Sequence, residues 1–143
     1  MPLTNQTLIF LPMLVVVALT FVAFIRMGAA RGRAVKEGQD PAYYRAAQGS
    51  PEPEYAAAAV RHYGNLLELP TLFYAAGLTA FVLGAVNAWI LGLAWAFVVF
   101  RLVQSAVHMT YNNPGHRGMG FVLGVLSLFA MWVLLALEIF ARL

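Results

Sequence analysis

The chain has 143 residues, of which 62% are apolar and only 10% charged, with a formal net charge of +3 and no cysteine. Ordinary soluble domains carry roughly 25% charged residues, so this composition excludes a water-soluble globule and points to an integral membrane protein. The missing cysteines remove disulfides, thiolate nucleophiles and cysteine-held metals together, and any thiol chemistry has to arrive with a ligand. Most basic residues lie beside apolar stretches, where they set topology more simply than they would bind nucleic acid.

The first uncharged stretch, Met1 to Ile25, lacks the basic leader and small-residue cleavage site of a secretory signal and is expected to be a retained first span. The next segment, Met27 to Glu54, is polar and rich in glycine and proline, and is expected to be the one long loop. Within it, Ser50 and Pro51 followed by Glu52 and Glu54 read as the start of the second helix, which then rises from the aqueous phase. Between Glu68 and Arg101 lie thirty-two uncharged residues, too many for one span and too few for two spans of ~20 residues plus a turn. The polar flanks must therefore be drawn in. Gly84 and Asn87, with Trp89 as an interfacial anchor, place a hairpin turn near residue 86. Asn112, Asn113, Pro114 and Gly115 mark another turn, and the fourth apolar stretch follows from Gly118 to Leu137.

The expected architecture is all-α: one membrane domain over residues 1–143, a four-transmembrane-helix bundle with spans at about 5–27, 55–84, 88–111 and 117–140 and a loop at about 28–54. Arg26, Arg31, Arg33, Lys36, Arg45, Arg61 and Arg117 fall on the loop side and only Arg142 opposite. The positive-inside rule makes the loop cytoplasmic and puts both termini outside; in a bacterial source this would be the inner membrane.

Arg61, Asn65 and Glu68 are spaced i, i+4, i+7, which puts them on one face of the second helix. Arg101, Gln104, His108 and Tyr111 form a second stripe on the third. Counting outward from residue 86 at ~1.5 Å per residue sets Glu68 level with Gln104, Asn65 with His108 and Arg61 with Tyr111. Two polar stripes within a membrane bundle form a candidate site, because a charge near the bilayer centre costs at least ~2.5–3.5 kcal/mol. The competing reading is structural, with Glu68 pairing to an arginine and the amides bonding between helices. Charge favours the site: Arg61, Arg101 and Arg117 gather around a single intramembrane acid, Glu68, and the excess of cation calls for an anion. Pro70 is expected to kink the second helix beside Glu68. Gly120 and Gly124 read as a small-residue packing pair. His62 is expected at the interface and His116 in a turn. Three histidines without an acidic or cysteine cluster at ligand spacing indicate no metal site.

These residues resemble the MAPEG family, membrane-associated proteins in eicosanoid and glutathione metabolism. Its hallmark of arginine, asparagine and glutamate near the start of the second span is matched by RHYGNLLE, with Arg61, Asn65 and Glu68, and continues into LPTLFYA. A second block, RLVQSAVHMTYNNPGHR, is similar to the third span and following turn of bacterial members. The resemblance implies a homotrimer that binds glutathione as co-substrate at the cytoplasmic side, between neighbouring subunits. Arg61, Asn65 and Glu68 would hold the tripeptide, with Arg101, Gln104, His108, Tyr111 and Arg31 as further binding residues. Arg117 corresponds to the arginine that helps to activate the thiol, and is the expected catalytic residue. His108 stands where eicosanoid-making members carry a tyrosine.

The implied activity is a glutathione transferase or peroxidase acting on lipophilic electrophiles or hydroperoxides from the bilayer. A non-catalytic protein of the same fold, binding a small anion or lipid headgroup in that pocket, is the alternative. A small four-span drug transporter would carry an acid deep in its first span, which here is uncharged from Pro2 to Ile25.

Overall fold

The computed structural model describes residues 5–46 and 49–143. A short 3-10 turn, Gln6–Ile9, leads into α1 (Phe10–Lys36); α2 (Pro41–Ala46), α3 (Glu54–Val82), α4 (Ala88–Met109) and α5 (Pro114–Phe140) follow. Four of these helices, all but α2, are long and apolar enough to cross a membrane. This is the all-α four-helix architecture expected, since helices satisfy every backbone donor and acceptor without water.

The helix ends show where hydropathy and helix length part company. Apolar sequence marks the membrane-embedded part, whereas the helix itself runs until its carbonyls are capped. So α1 continues past the expected limit, through alanines and arginines that favour helix, to Lys36. It stops at Gly38, whose φ of 103° lets Gly38 N–H and Gln39 N–H donate back to the carbonyls of Val35 and Ala34. The expected loop is thus partly helical, with α2 inside it. At the other side, α3 starts at Glu54 rather than Ser50. Ser50 and Glu52 each precede a proline, which disfavours the helical region for both, so the helix cannot begin before Pro53.

The loop end is tied together by side chains. Arg33 Nε and the Tyr55 hydroxyl both donate to the Glu37 carboxylate, at 2.7 and 2.6 Å, joining the end of α1 to the start of α3. The Tyr55 hydroxyl and then Arg33 hold the Glu37 carboxyl below its usual range. At the opposite end α3 closes on Gly84, at φ 62°, and Asn87 caps α4 by accepting from the N–H groups of Trp89 and Ile90. Gln6 brackets this turn, donating to Val86 O at 3.2 Å and accepting from Val86 N at 2.8 Å. Asn113 caps α5 with Pro114 in the first turn, so His116, expected in a turn, belongs to that helix.

Packing is uneven. The tightest pairs are α4 with α5 and α1 with α3; α3 and α4, although consecutive, touch along less of their length. The sealed core of Ile9, Val16, Phe73, Ile90, Phe97, Met131 and Leu135 fills the half of the bundle nearest the α3–α4 turn. There Phe73 stacks on Phe97 with centroids 4.4 Å apart. Pro70 is also buried, within an uninterrupted α3.

The expected glycine pair on α5 divides in two. A Cβ on Gly120 would lie 3.2 Å from Gln104 Cβ and 3.3 Å from the Phe100 carbonyl, closer than side chains normally sit, whereas one on Gly124 would meet nothing nearer than 3.8 Å. Gly120 therefore sets the α4–α5 distance. Gly120→Val should destabilise the protein by about 1–3 kcal/mol through overpacking. Gly92→Ala, where a Cβ meets nothing within 4 Å inside α4, should leave the unfolding temperature in detergent the same or slightly raised.

Candidate functional site

Where the α3–α4 seam loosens toward the loop end, two polar cavities open on either side of His108. The smaller, about 290 Å³, is lined by Arg61, Gly64, Asn65, Glu68, His108 and Arg117. The i, i+4, i+7 stripe of α3 forms one wall, His108 of α4 another, and Arg117 from the first turn of α5 closes the end. Arg61 and Glu68 are exposed, Asn65 half-buried, and none of the three has a hydrogen-bond or ion-pair partner among the described residues. Arg117 is half-buried and oriented by its Nη1, which donates to Asn112 Oδ1 at 2.9 Å. Asn112 reaches this position through a left-handed backbone, φ 47°, which asparagine tolerates better than most residues.

The larger cavity, about 460 Å³, lies between α1, α3 and α4, with Arg26, Glu54, Tyr55, His62, His108 and Asn112 among its lining residues. His62 was expected at the interface but is only 5% exposed. Its Nε2 shares a 3.0 Å hydrogen bond with Ser105 Oγ, and its ring lies against that of His108 with centroids 4.9 Å apart. The reason is register. The ring pairs Phe73–Phe97 and His62–His108 are both centred on residue 85 rather than 86, and moving the centre by one residue shifts each partner by two, which brings His62 to the level of His108.

Other expected site residues lie elsewhere. Tyr111 is exposed, and its hydroxyl shares a 2.9 Å bond with His116 Nδ1 outside both cavities. Arg31 donates to Glu52 at 3.3 Å and sits 5.1 Å over the Tyr44 ring, in the loop region. Arg101 and Gln104 pair with each other: Arg101 Nη1 donates to Gln104 Oε1 at 2.6 Å. Arg101 is wholly buried, its guanidinium 5.3 Å from the Phe97 ring and 5.1 Å from that of Phe121, while Nε and Nη2 have no partner among the described residues. Ring faces attract a desolvated cation, which helps to retain this charge inside.

Four membrane-length helices with polar cavities opening between them define a multi-pass integral membrane protein. The chain belongs to the MAPEG family, whose model matches residues 9–137. Neither a curated protein nor a solved structure matches it.

The Arg101–Gln104 pair makes a prediction of opposite signs. Gln104→Leu removes the one hydrogen bond of a sealed guanidinium and should cost about 1.5–3 kcal/mol. Arg101→Met in the Gln104→Leu background removes the buried charge itself and should be stabilising. The double variant should therefore be more stable than Gln104→Leu alone in thermal unfolding in detergent.

Proposed function

We propose that this protein is a membrane-bound glutathione transferase or peroxidase that activates the glutathione thiol against lipophilic electrophiles or hydroperoxides. The observation that carries the reading is the charge inventory of the smaller cavity: two guanidiniums, Arg61 and Arg117, and one carboxylate, Glu68, beside the Asn65 amide. Glutathione carries two carboxylates and one ammonium, the complementary set. Arginine suits carboxylates through its planar fork, and glutamate suits an amino group. Family membership supports the same ligand.

In this reading Arg61, Asn65 and Glu68 hold the tripeptide and Arg117 stabilises the thiolate. A free thiol has a pKa of about 8.5, and lowering it by ~2 units takes roughly 2.7 kcal/mol of preferential thiolate stabilisation. A single half-buried guanidinium, oriented as Arg117 is by Asn112, can supply that. The thiolate then attacks an electrophilic carbon, or a peroxide oxygen, delivered from the bilayer. His108, on the wall of the cavity, supplies a hydrogen-bonding group to the bound ligand. Arg101 and Gln104 support the wall from behind, while Arg31 and Tyr111 reach a ligand only if a second copy brings them to it.

The exposed Arg61 and Glu68 also support assembly. Ionised groups facing hydrocarbon are costly, and a neighbouring copy of the chain would cover them and complete the cavity, as in a homotrimer. The loop is then cytoplasmic, where glutathione is available and where the positive-inside rule puts it.

Adding glutathione to the detergent-purified protein at neutral pH should produce the ultraviolet absorbance of a thiolate. Arg117→Ala should abolish that signal while still binding the tripeptide. Glu68→Ala should lose both, with affinity falling by about tenfold or more for the missing charged contact. An intact protein that gives no thiolate signal at saturating glutathione would overturn the enzymatic reading and leave a protein that binds a small anion or lipid headgroup.

A further inference from the structure

The smaller cavity accounts for one reactant, and the larger one, on the far side of His108, has no role in that account. Its walls are chemically distinct. Arg26 comes from α1, Glu54 from the first turn of α3, and Asn112 from the turn before α5. Arg26 has one long contact, Nη2 donating to Met109 O at 3.4 Å, and Glu54 has no ion-pair partner among the described residues. The cavity thus presents an uncompensated cation and an uncompensated carboxylate to whatever enters.

The partition between the two cavities is one ring. His108 lines both, is 6% exposed, and neither Nδ1 nor Nε2 finds a hydrogen-bond partner. Buried imidazoles normally have a partner, and the exceptions call for a reason. Its neighbour His62 is fixed through Ser105, and the His108 ring lies tilted against it. A ring with no close hydrogen bond at either nitrogen is the weakest part of the partition between the two spaces.

We propose that the larger cavity is an acceptor site for a small polar electrophile, one that bears a carboxylate for Arg26 and an O–H or N–H donor for Glu54, with His108 as the movable wall between acceptor and thiol. The role as acceptor site rests on the glutathione reading above; the existence of the second binding site does not. It adds a water-borne class of substrate, entering at the loop end, to the lipophilic one. With an aryl halide acceptor, the thiolate sulfur forms the bond to the ring carbon and the carbon–halogen bond breaks. Halide leaves with the electron pair, so the step needs no further reactant.

The test uses full-length protein and an unreactive probe, aminonitrobenzoate, which carries a carboxylate for Arg26 and N–H donors for Glu54; its binding is followed by calorimetry without glutathione and again with glutathione at saturation. The wild type should bind the probe equally in both conditions. Arg26→Gln should weaken it by about tenfold, the loss of a charge-assisted contact. Ala58→Phe or Ala59→Phe, which fill the cavity from α3, should abolish binding while leaving glutathione affinity unchanged. With chlorodinitrobenzoate as substrate, Arg26→Gln should raise KM and spare kcat, and the carboxylate-free chlorodinitrobenzene should show no such rise. Competition between probe and glutathione would overturn the proposal, as would probe binding that ignores all three substitutions. A wild type that gives no thiolate signal yet binds the probe in an Arg26-dependent way would sink the enzymatic reading and leave the second site standing.

Discussion

The seam between α3 and α4 governs the rest of this structure. Inside a membrane the backbone has to be satisfied within each helix, so a cavity forms chiefly where two helices part. Here the gap is set by two hairpin-like pairs, α1 with α3 and α4 with α5, each packed more tightly than either is to the other. At one end the seam is zipped by Phe73 on Phe97 and by the apolar core around them. Toward the loop it loses that filling, and both cavities lie there.

The polar residues of the seam separate into two populations with different physics. Arg101, Gln104, His62, Ser105 and His108 are buried; Arg101 is held by Gln104 and His62 by Ser105, while His108 has only its ring contact with His62. Arg61, Asn65, Glu68 and Arg117 line the smaller, open cavity and, apart from Arg117 with Asn112, are not engaged with other described residues. Hydrogen bonding within the bundle, the structural reading of the polar stripes, describes Arg101 and Gln104, whereas the stripe on α3 has no such partners among the described residues, as the proposed binding role requires.

Much of this was readable in the sequence, for identifiable reasons. Four spans follow from apolar length, and the turn at Gly84 and Asn87 from residue types that few other conformations favour. The one-face stripe of Arg61, Asn65 and Glu68 follows from helix periodicity. What was not readable depended on quantities that composition does not encode. The extension of α1 to Lys36 lies beyond the apolar stretch, where helix propensity rather than hydropathy decides. The burial of His62 depends on a one-residue register shift. The separation of Arg101 and Gln104 from the smaller cavity depends on which way the third-span stripe faces: it turns toward Gly120 and Phe121 of α5, a choice that periodicity leaves open.

Asn112 gives the site an unusual kind of vulnerability. Its left-handed backbone narrows the acceptable residues to a few, glycine, asparagine and aspartate foremost, and its side chain fixes Arg117. Among those few, each alternative damages a different property. Glycine preserves the turn and releases the guanidinium. Aspartate preserves both turn and contact, but sets a full negative charge against the one cation that would stabilise a thiolate. The position is thus a switch of charge rather than of shape, and deamidation, which turns asparagine into aspartate, would silence such a site without unfolding it.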